Sequence, residues 1–315
     1  MNASTLTMSG TSLPAAPAPR GAAAPHPSVA KQATAPAPAA VASTPDVKLK
    51  EQAAAMARAQ RRRTLARWLA PVLGFMVFLL AWQLVSHSGD KQLPGPAAVW
   101  SSAVELFADP FYVNGPNDQG IGWNILSSLQ RVGLGFGLAA LVGIPLGFMI
   151  GRFSFLSQML DPIISLLRPV SPLAWLPIGL MVFKAANPAA IWTIFICSIW
   201  PMVINTAVGV RQVPADYLNV ARVLNLSEWT VMRKILFPSV LPYMLTGVRL
   251  AVGTAWLVIV AAEMLTGGQG IGFWLWDEWN NLNVAHILIA IFIIGAVGLA
   301  LETLLVWIAR RFDYS

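Results

Sequence analysis

Charge is scarce in this sequence. Of its 315 residues only 11% are Asp, Glu, Lys or Arg, against 56% hydrophobic, and the mean hydropathy is +0.63. A water-soluble domain of this length carries about 25% charged residues. Most of the chain therefore meets a solvent that rejects charge, and that solvent is lipid. Cysteine is nearly missing as well. Cys197 stands alone inside an apolar run, which excludes an intrachain disulfide framework and argues against a cysteine-based metal site; it reads as a small core residue. The three histidines, His26, His87 and His286, show no metal-ligand spacing. No catalytic constellation is visible, which disfavours a membrane enzyme. Nor is there a Gly-x-x-x-x-Gly-Lys-Ser/Thr loop, so the chain has no means of cradling nucleotide phosphates itself.

What is present divides in two. Residues 1–60 are rich in Ala and Pro, with Pro14, Pro17, Pro19, Pro25, Pro27, Pro36, Pro38 and Pro45 and few large apolar side chains. Such a stretch buries too little surface to offset its chain entropy and is expected to be a disordered tail. No apolar stretch precedes Trp68, which argues against a cleaved signal; the first apolar run follows Arg61, Arg62, Arg63 and Arg67 and suits an uncleaved anchor. From residue 61 onward the chain reads as an all-α polytopic membrane domain. About six apolar spans fall near 68–86, 125–151, 159–183, 189–210, 240–265 and 285–309. Thirteen Trp against four Tyr fit this reading, since indole rings favour the bilayer interface. The third span is broken by Pro162, Pro169, Pro172 and Pro177, a pattern tolerated at membrane depth where protein or a water-filled cavity covers the freed backbone groups.

The formal charge of +7 is not a nucleic-acid footprint, because the basic residues sit in small clusters between apolar runs. Arg61, Arg62, Arg63, Arg67, Arg152, Arg211, Arg222, Arg233, Lys234, Arg310 and Arg311 fall on one side of the spans, and Lys91 and Lys184 on the other. The asymmetry predicts that both termini are cytoplasmic. In the outer segment 92–124, Pro96 to Phe107 suits an interfacial helix, and Asn114-Gly115-Pro116-Asn117-Asp118 a surface turn. Gly133, Gly135, Gly137, Gly143 and Gly147 in the second span suit either an interface that slides or ordinary close helix packing.

The loop 211–238, RQVPADYLNVARVLNLSEWTVMRKILFP, is the most informative segment. Pro214 suits a first helical turn, and Tyr217, Val220, Ala221 and Leu224 then share an apolar face. Asn225 suits a left-handed helix stop, and Ser227 caps a second helix carrying Trp229, Met232 and Ile235, which Pro238 is expected to end. A helix this short is marginal alone, so its apolar face needs a partner.

This loop resembles the cytoplasmic coupling motif of ABC-type importer permeases: Glu-Ala-Ala, three residues, Gly, nine residues, then Ile-x-Leu-Pro. Here the pattern falls on Asn219-Val220-Ala221, Asn225 and Ile235-Leu236-Phe237-Pro238 with the spacing kept. Asn219 replaces the family's Glu, Val220 its first Ala, Asn225 its Gly and Phe237 its Leu; Asp216, one turn earlier, is placed to stand in for the lost carboxylate. Further along the chain, Ser128-Leu129-Gln130-Arg131-Val132 and Gly143-Ile144-Pro145-Leu146-Gly147 resemble the nitrate, sulfonate and taurine permease group. The run Arg168 to Pro177, RPVSPLAWLP, is most similar to its nitrate and bicarbonate branch; Ser198-Ile199-Trp200-Pro201, Asn205 to Val210 and Gly270 to Trp274 agree.

The resemblance covers residues 65–315 and implies a type I ABC importer permease bundle. It implies ATPase coupling through Asp216, Tyr217, Asn219, Val220, Ala221, Leu224, Asn225, Ile235 and Pro238. It further implies ATP and magnesium on cytoplasmic ATPase subunits, a second permease copy, an external solute-binding protein, and a bacterial inner-membrane location. Nitrate or nitrite is the expected cargo, with bicarbonate, cyanate or an alkanesulfonate such as taurine as alternatives. A secondary transporter is the rival class, but it should show an internal repeat, and none is found.

Charges inside spans are costly and so are functional candidates; the chain offers Arg131, Arg168, Arg249 and Glu263. An anion crossing a low-dielectric path needs positive charge or donors to replace its water. Arg168 and Arg249, with Asn205 and Thr254 as neutral donors, are the candidate pathway. Alternatively the arginines pair with Glu263 or Glu302, or reach to headgroups. His286 suits a polar anchor or a proton relay, and the Trp274–Trp279 run an interfacial belt or a docking surface for the binding protein.

Overall fold

A computed structural model describes residues 45–88, 93–115 and 118–311. Contacts divide the chain into two units, residues 1–69 and residues 70–315. Helix α1 runs Pro45–Ser88. The disordered tail was expected to reach residue 60; its first 44 residues lie outside the described ones, but 45–60 are helical. The reason is compositional. After Pro45, a residue suited to a helix start, the run VKLKEQAAAMARAQ has no proline or glycine and consists almost wholly of strong helix formers.

The second unit is a helical bundle. After α1 come α2 (Pro96–Ala108), α3 (Ile121–Arg152), α4 (Ser154–Leu167), α5 (Pro172–Phe183), α6 (Ala186–Arg211), α7 (Ala215–Val223), α8 (Glu228–Val231), a π-turn (Met232–Leu236), α9 (Phe237–Thr266), α10 (Ile271–Asn280) and α11 (Val284–Arg310). Among the described residues, five helical stretches are long and apolar enough to cross a bilayer: 66–88, 121–152, 186–211, 228–266 and 284–310. The third expected span is not one helix. It is the pair α4 and α5, bent by 99° at Arg168–Ser171, and counting it makes six. Pro169 and Pro172 bracket the bend, where each removes an amide donor and disfavours helix for the residue before it.

Helix α6 is the axis of the bundle. Helix α3 lies parallel along one side, with Gly135, Gly143, Gly147 and Gly151 facing Ile194, Ile199, Thr206 and Val210. Helix α9 runs antiparallel along the other, where Gly209 meets Tyr243 and Gly247 meets Asn205. Gly133 and Gly137 have open space where a Cβ would stand. The glycines of α3 are thus split, and those on the α6 face serve close packing. Helix α11 closes against α9, with Trp256 Nε1 donating to the Ile294 carbonyl at 2.9 Å. This layout brings Arg152, Arg211, the Arg233–Lys234 pair and Arg310 to one end of the bundle, hereafter the basic end. The opposite end carries α2, the turn closed by Asn114 N–H on Asp118 O (3.0 Å), and α10.

Candidate coupling surface, charged sites and family

The loop at the basic end folds as two short helices with a tight turn. Pro214 is the residue before α7 and not in its first turn, with φ −54° and ψ 134°. Asn225 takes φ 49°, the left-handed stop expected of it. Ser227 Oγ accepts from the Thr230 amide at 3.3 Å and caps α8. Pro238 does not end the second helix. Residues Glu228–Thr266 form one continuous rod of 39 residues. The π-turn absorbs the proline: Phe237 N–H donates to Met232 O, five residues back, which widens the turn ahead of the ring.

One face of the segment belongs to the bundle. Ala221, Val231 and Leu236 are buried with Phe148, Val210 and Val240, while Leu218, Met232 and Ile235 pack against them. The other face is bare. Val220 is 57% exposed, Leu224 63% and Trp229 73%, and Tyr217 and Val223 are exposed beside them. Asp216, Asn219, Asn225 and Pro238 are also exposed. Arg152 fastens the segment to α3 through Glu228 at 2.9 Å. An apolar ridge held rigidly on a basic surface suits docking by a second protein.

The four pathway residues are not brought together. Arg168, at the α4–α5 bend, borders a cavity of about 620 Å³ lined also by Asp161, Ser165, Val203, Ala207 and Arg211. At its edge Arg211 donates to Ser157 Oγ, outside the lining (2.7 Å), and lies 3.4 Å from Asp161. Asp161 is thereby paired, whereas no hydrogen bond or ion pair reaches the Arg168 guanidinium among the described residues. Arg249 and Thr254 line a different cavity, of about 550 Å³, between α9 and α11. There Arg249 pairs with Glu302, the structural alternative foreseen for it. Asn205 spends its amide on the Pro201 carbonyl at 2.8 Å, on the α6 face that packs against α9.

The most elaborate polar cluster lies at the other end of the bundle. Glu263, 1% exposed, accepts from Arg131 Nη1 at 2.6 Å, from Ser128 Oγ at 2.8 and 2.9 Å, and from Gly272 N–H at 3.0 Å. Arg131 also donates to Gln269 O (2.5 Å) and to Asn187 Oδ1 (2.6 Å). Ser128 and Asn124 accept from the amides of Ile271 (3.0 Å) and Gly270 (2.9 Å). The partner of Glu263 is therefore Arg131, neither Arg168 nor Arg249. The signal was available: Asn124, Ser128 and Arg131 are spaced i, i+4, i+7 and so share one helix face. Nearby, His286 stacks on Trp274 at 5.7 Å, its Nδ1 3.0 Å from Glu278 Oε1 but out of line for a hydrogen bond.

Residues 143–314 match the family described as the binding-protein-dependent transport system inner membrane component, and the chain belongs to that family. It is a multi-pass permease component of an ABC-type importer, without an ATPase site of its own. Among named relatives, it is 48% identical over 249 residues to the nitrate import permease protein NrtB of Leptolyngbya laminosa, covering 79% of this chain and 89% of that one. It is 45% identical over 252 residues to the bicarbonate transport system permease protein CmpB of Synechococcus elongatus, covering 79% and 91%. Among solved structures it is similar to the MetNI methionine ABC transporter in inward-facing conformations: TM-score 0.45, 16% identity, 58% of this chain and 94% of that one.

Proposed function

We propose that this chain forms the pathway by which nitrate or nitrite enters the cell, driven by an ATPase docked on the ridge of α7 and α8. The observation that carries the proposal is the bare apolar face of Tyr217, Val220, Leu224 and Trp229 on a segment otherwise fixed to the bundle. Basic residues gathered at that end favour a cytoplasmic position for it, and with it cytoplasmic termini. ATP and magnesium then reside on the partner. Two copies of this chain enclose the path, and a solute-binding protein delivers the anion to the α10 end, where Trp276 and Trp279 are exposed anchors.

Similarity extends equally to nitrate and to bicarbonate permeases and supports a small inorganic anion, as does the unpaired Arg168 beside its cavity; nitrate is the member of that set put to the test. A fixed cation in a low-dielectric cleft offsets part of the water an anion gives up. Arg249, held by Glu302, keeps a pathway role only where the pair as a whole borders the path. The decisive experiment is ATPase stimulation of the reconstituted complex with its binding protein and, in turn, nitrate, nitrite, bicarbonate, cyanate and taurine. Nitrate or nitrite is expected to stimulate. Stimulation by bicarbonate alone would move the chain to the bicarbonate branch, and stimulation by none would refute the reading.

A further inference from the structure

Helix α10 does not cap itself. Its N-cap, Gly270, has no side chain to offer, and the first amides of any helix lack partners within it. Here the amides of Gly270, Ile271 and Gly272 donate to Asn124 and Ser128 of α3 and to Glu263 of α9. The carboxylate also stands where the helix dipole favours negative charge. Two glycines make the approach possible. Gly270 has φ 145°, and a Cβ there would overlap the Glu263 carboxylate; a Cβ on Gly272 would overlap the Val260 carbonyl.

Glu263 is also the far end of a lever. The rod 228–266 begins in the exposed segment at the basic end and is continuous through the π-turn. At 1.5 Å per residue it is about 58 Å long, so its ends lie on opposite sides of a bilayer. Moving α9 without α10 would strip a buried carboxylate of Gly272 N–H and leave both groups unsatisfied, which is costly away from water.

We propose that Glu263 is a positioning residue that locks α10 to the outer end of this rod, so that displacement of α8 by the ATPase is delivered to the surface carrying Trp276 and Trp279. The inference rests on the reading of the α7–α8 ridge as the ATPase dock. Gln is a sharp substitution here. Both carboxylate oxygens act only as acceptors, Oε1 from Arg131 and Ser128 and Oε2 from Ser128 and Gly272. An amide in this place must aim a donor at a donor.

The test uses the whole permease–ATPase complex with Trp276→Cys as the reporter site and the buried Cys197 changed to Ala. Label accessibility on α10 is measured with and without ATP and vanadate. In the parent it should change with nucleotide; in Glu263→Gln the change should fall about tenfold, within the usual span of coupling between sites. A full response in Glu263→Gln, or none in the parent, overturns the proposal. Should Glu263→Gln fail to assemble, Ser128→Ala removes one carboxylate donor and the acceptor for Ile271 while keeping the ion pair. A weakened response is then expected, and an undiminished one is contrary. Retention of the ATPase by the parent complex after Val220→Glu and Leu224→Glu would instead count against the dock, separately from the lock.

Discussion

Gly147 and Gly137 sit on the same helix and differ in what a methyl group would meet. At Gly147 a Cβ would stand 2.7 Å from both Thr206 Cβ and the Val203 carbonyl oxygen; at Gly137 it would meet nothing within 4 Å. Ordinary contact begins at 3.4 Å, so Gly147→Ala must part α3 from α6 by about 0.7 Å. The neighbouring atoms are backbone and a β-branched stem, which yield little. Overpacking of this kind costs about 1–3 kcal/mol. Alanine gains about 1 kcal/mol of helix propensity over glycine, but it does so at both positions and cancels in the comparison. Gly147→Ala should therefore be less stable than Gly137→Ala by about 1–3 kcal/mol. Thermal unfolding of the purified complex in detergent measures the difference, with Gly137→Ala expected at or above the parent. Equal stabilities, or the reverse order, would refute the close-packing account of the α3–α6 seam.

Asn225→Gly should leave stability unchanged or slightly raised, since φ 49° suits glycine, whereas Asn225→Val should cost about 1–2 kcal/mol; chemical unfolding of the two variants checks both. Arg168→Gln should lower anion uptake into proteoliposomes about tenfold while leaving assembly intact, if the free guanidinium receives the anion; unchanged uptake removes it from the path. Arg249→Gln should impair expression more than the double change Arg249→Gln with Glu302→Gln, because the single change strands a carboxylate inside the membrane. Membrane yields of the three proteins decide the point.

Much of the fold was legible because lipid imposes a simple rule: long apolar runs become helices, and prolines break them. The spans expected near 125–151, 189–210 and 285–309 are α3, α6 and α11 almost to their ends. The third span was marked by its prolines, and Arg168 lies at its bend. Pro238 misled because a proline is disruptive only against the carbonyl of a regular α-turn, and a π-turn cannot be foreseen from residue type. The 45–60 stretch misled because the prolines before it were read as one tail with it.

The site divides in the same way. Local features came through: the Asn225 turn, the Ser227 cap and the exposed face of Tyr217, Val220 and Leu224 follow from residues close in sequence, although Ala221, expected on that face, is turned into the bundle. Long-range pairing did not. Which arginine meets which carboxylate depends on helix order, and three arginines competed for Glu263 and Glu302. The i, i+4, i+7 face of Asn124, Ser128 and Arg131 together with the Gly270-x-Gly272 turn was the one local sign of the cluster around Glu263.

The central claim is that the bare ridge of α7 and α8 is where the ATPase grips. Affinity purification of the permease with Val220→Glu and Leu224→Glu, both exposed and outside the packed core, addresses it directly. The variant should elute as a folded permease at the parent's size with its ATPase lost. Recovery of the ATPase at the parent's yield would contradict the claim.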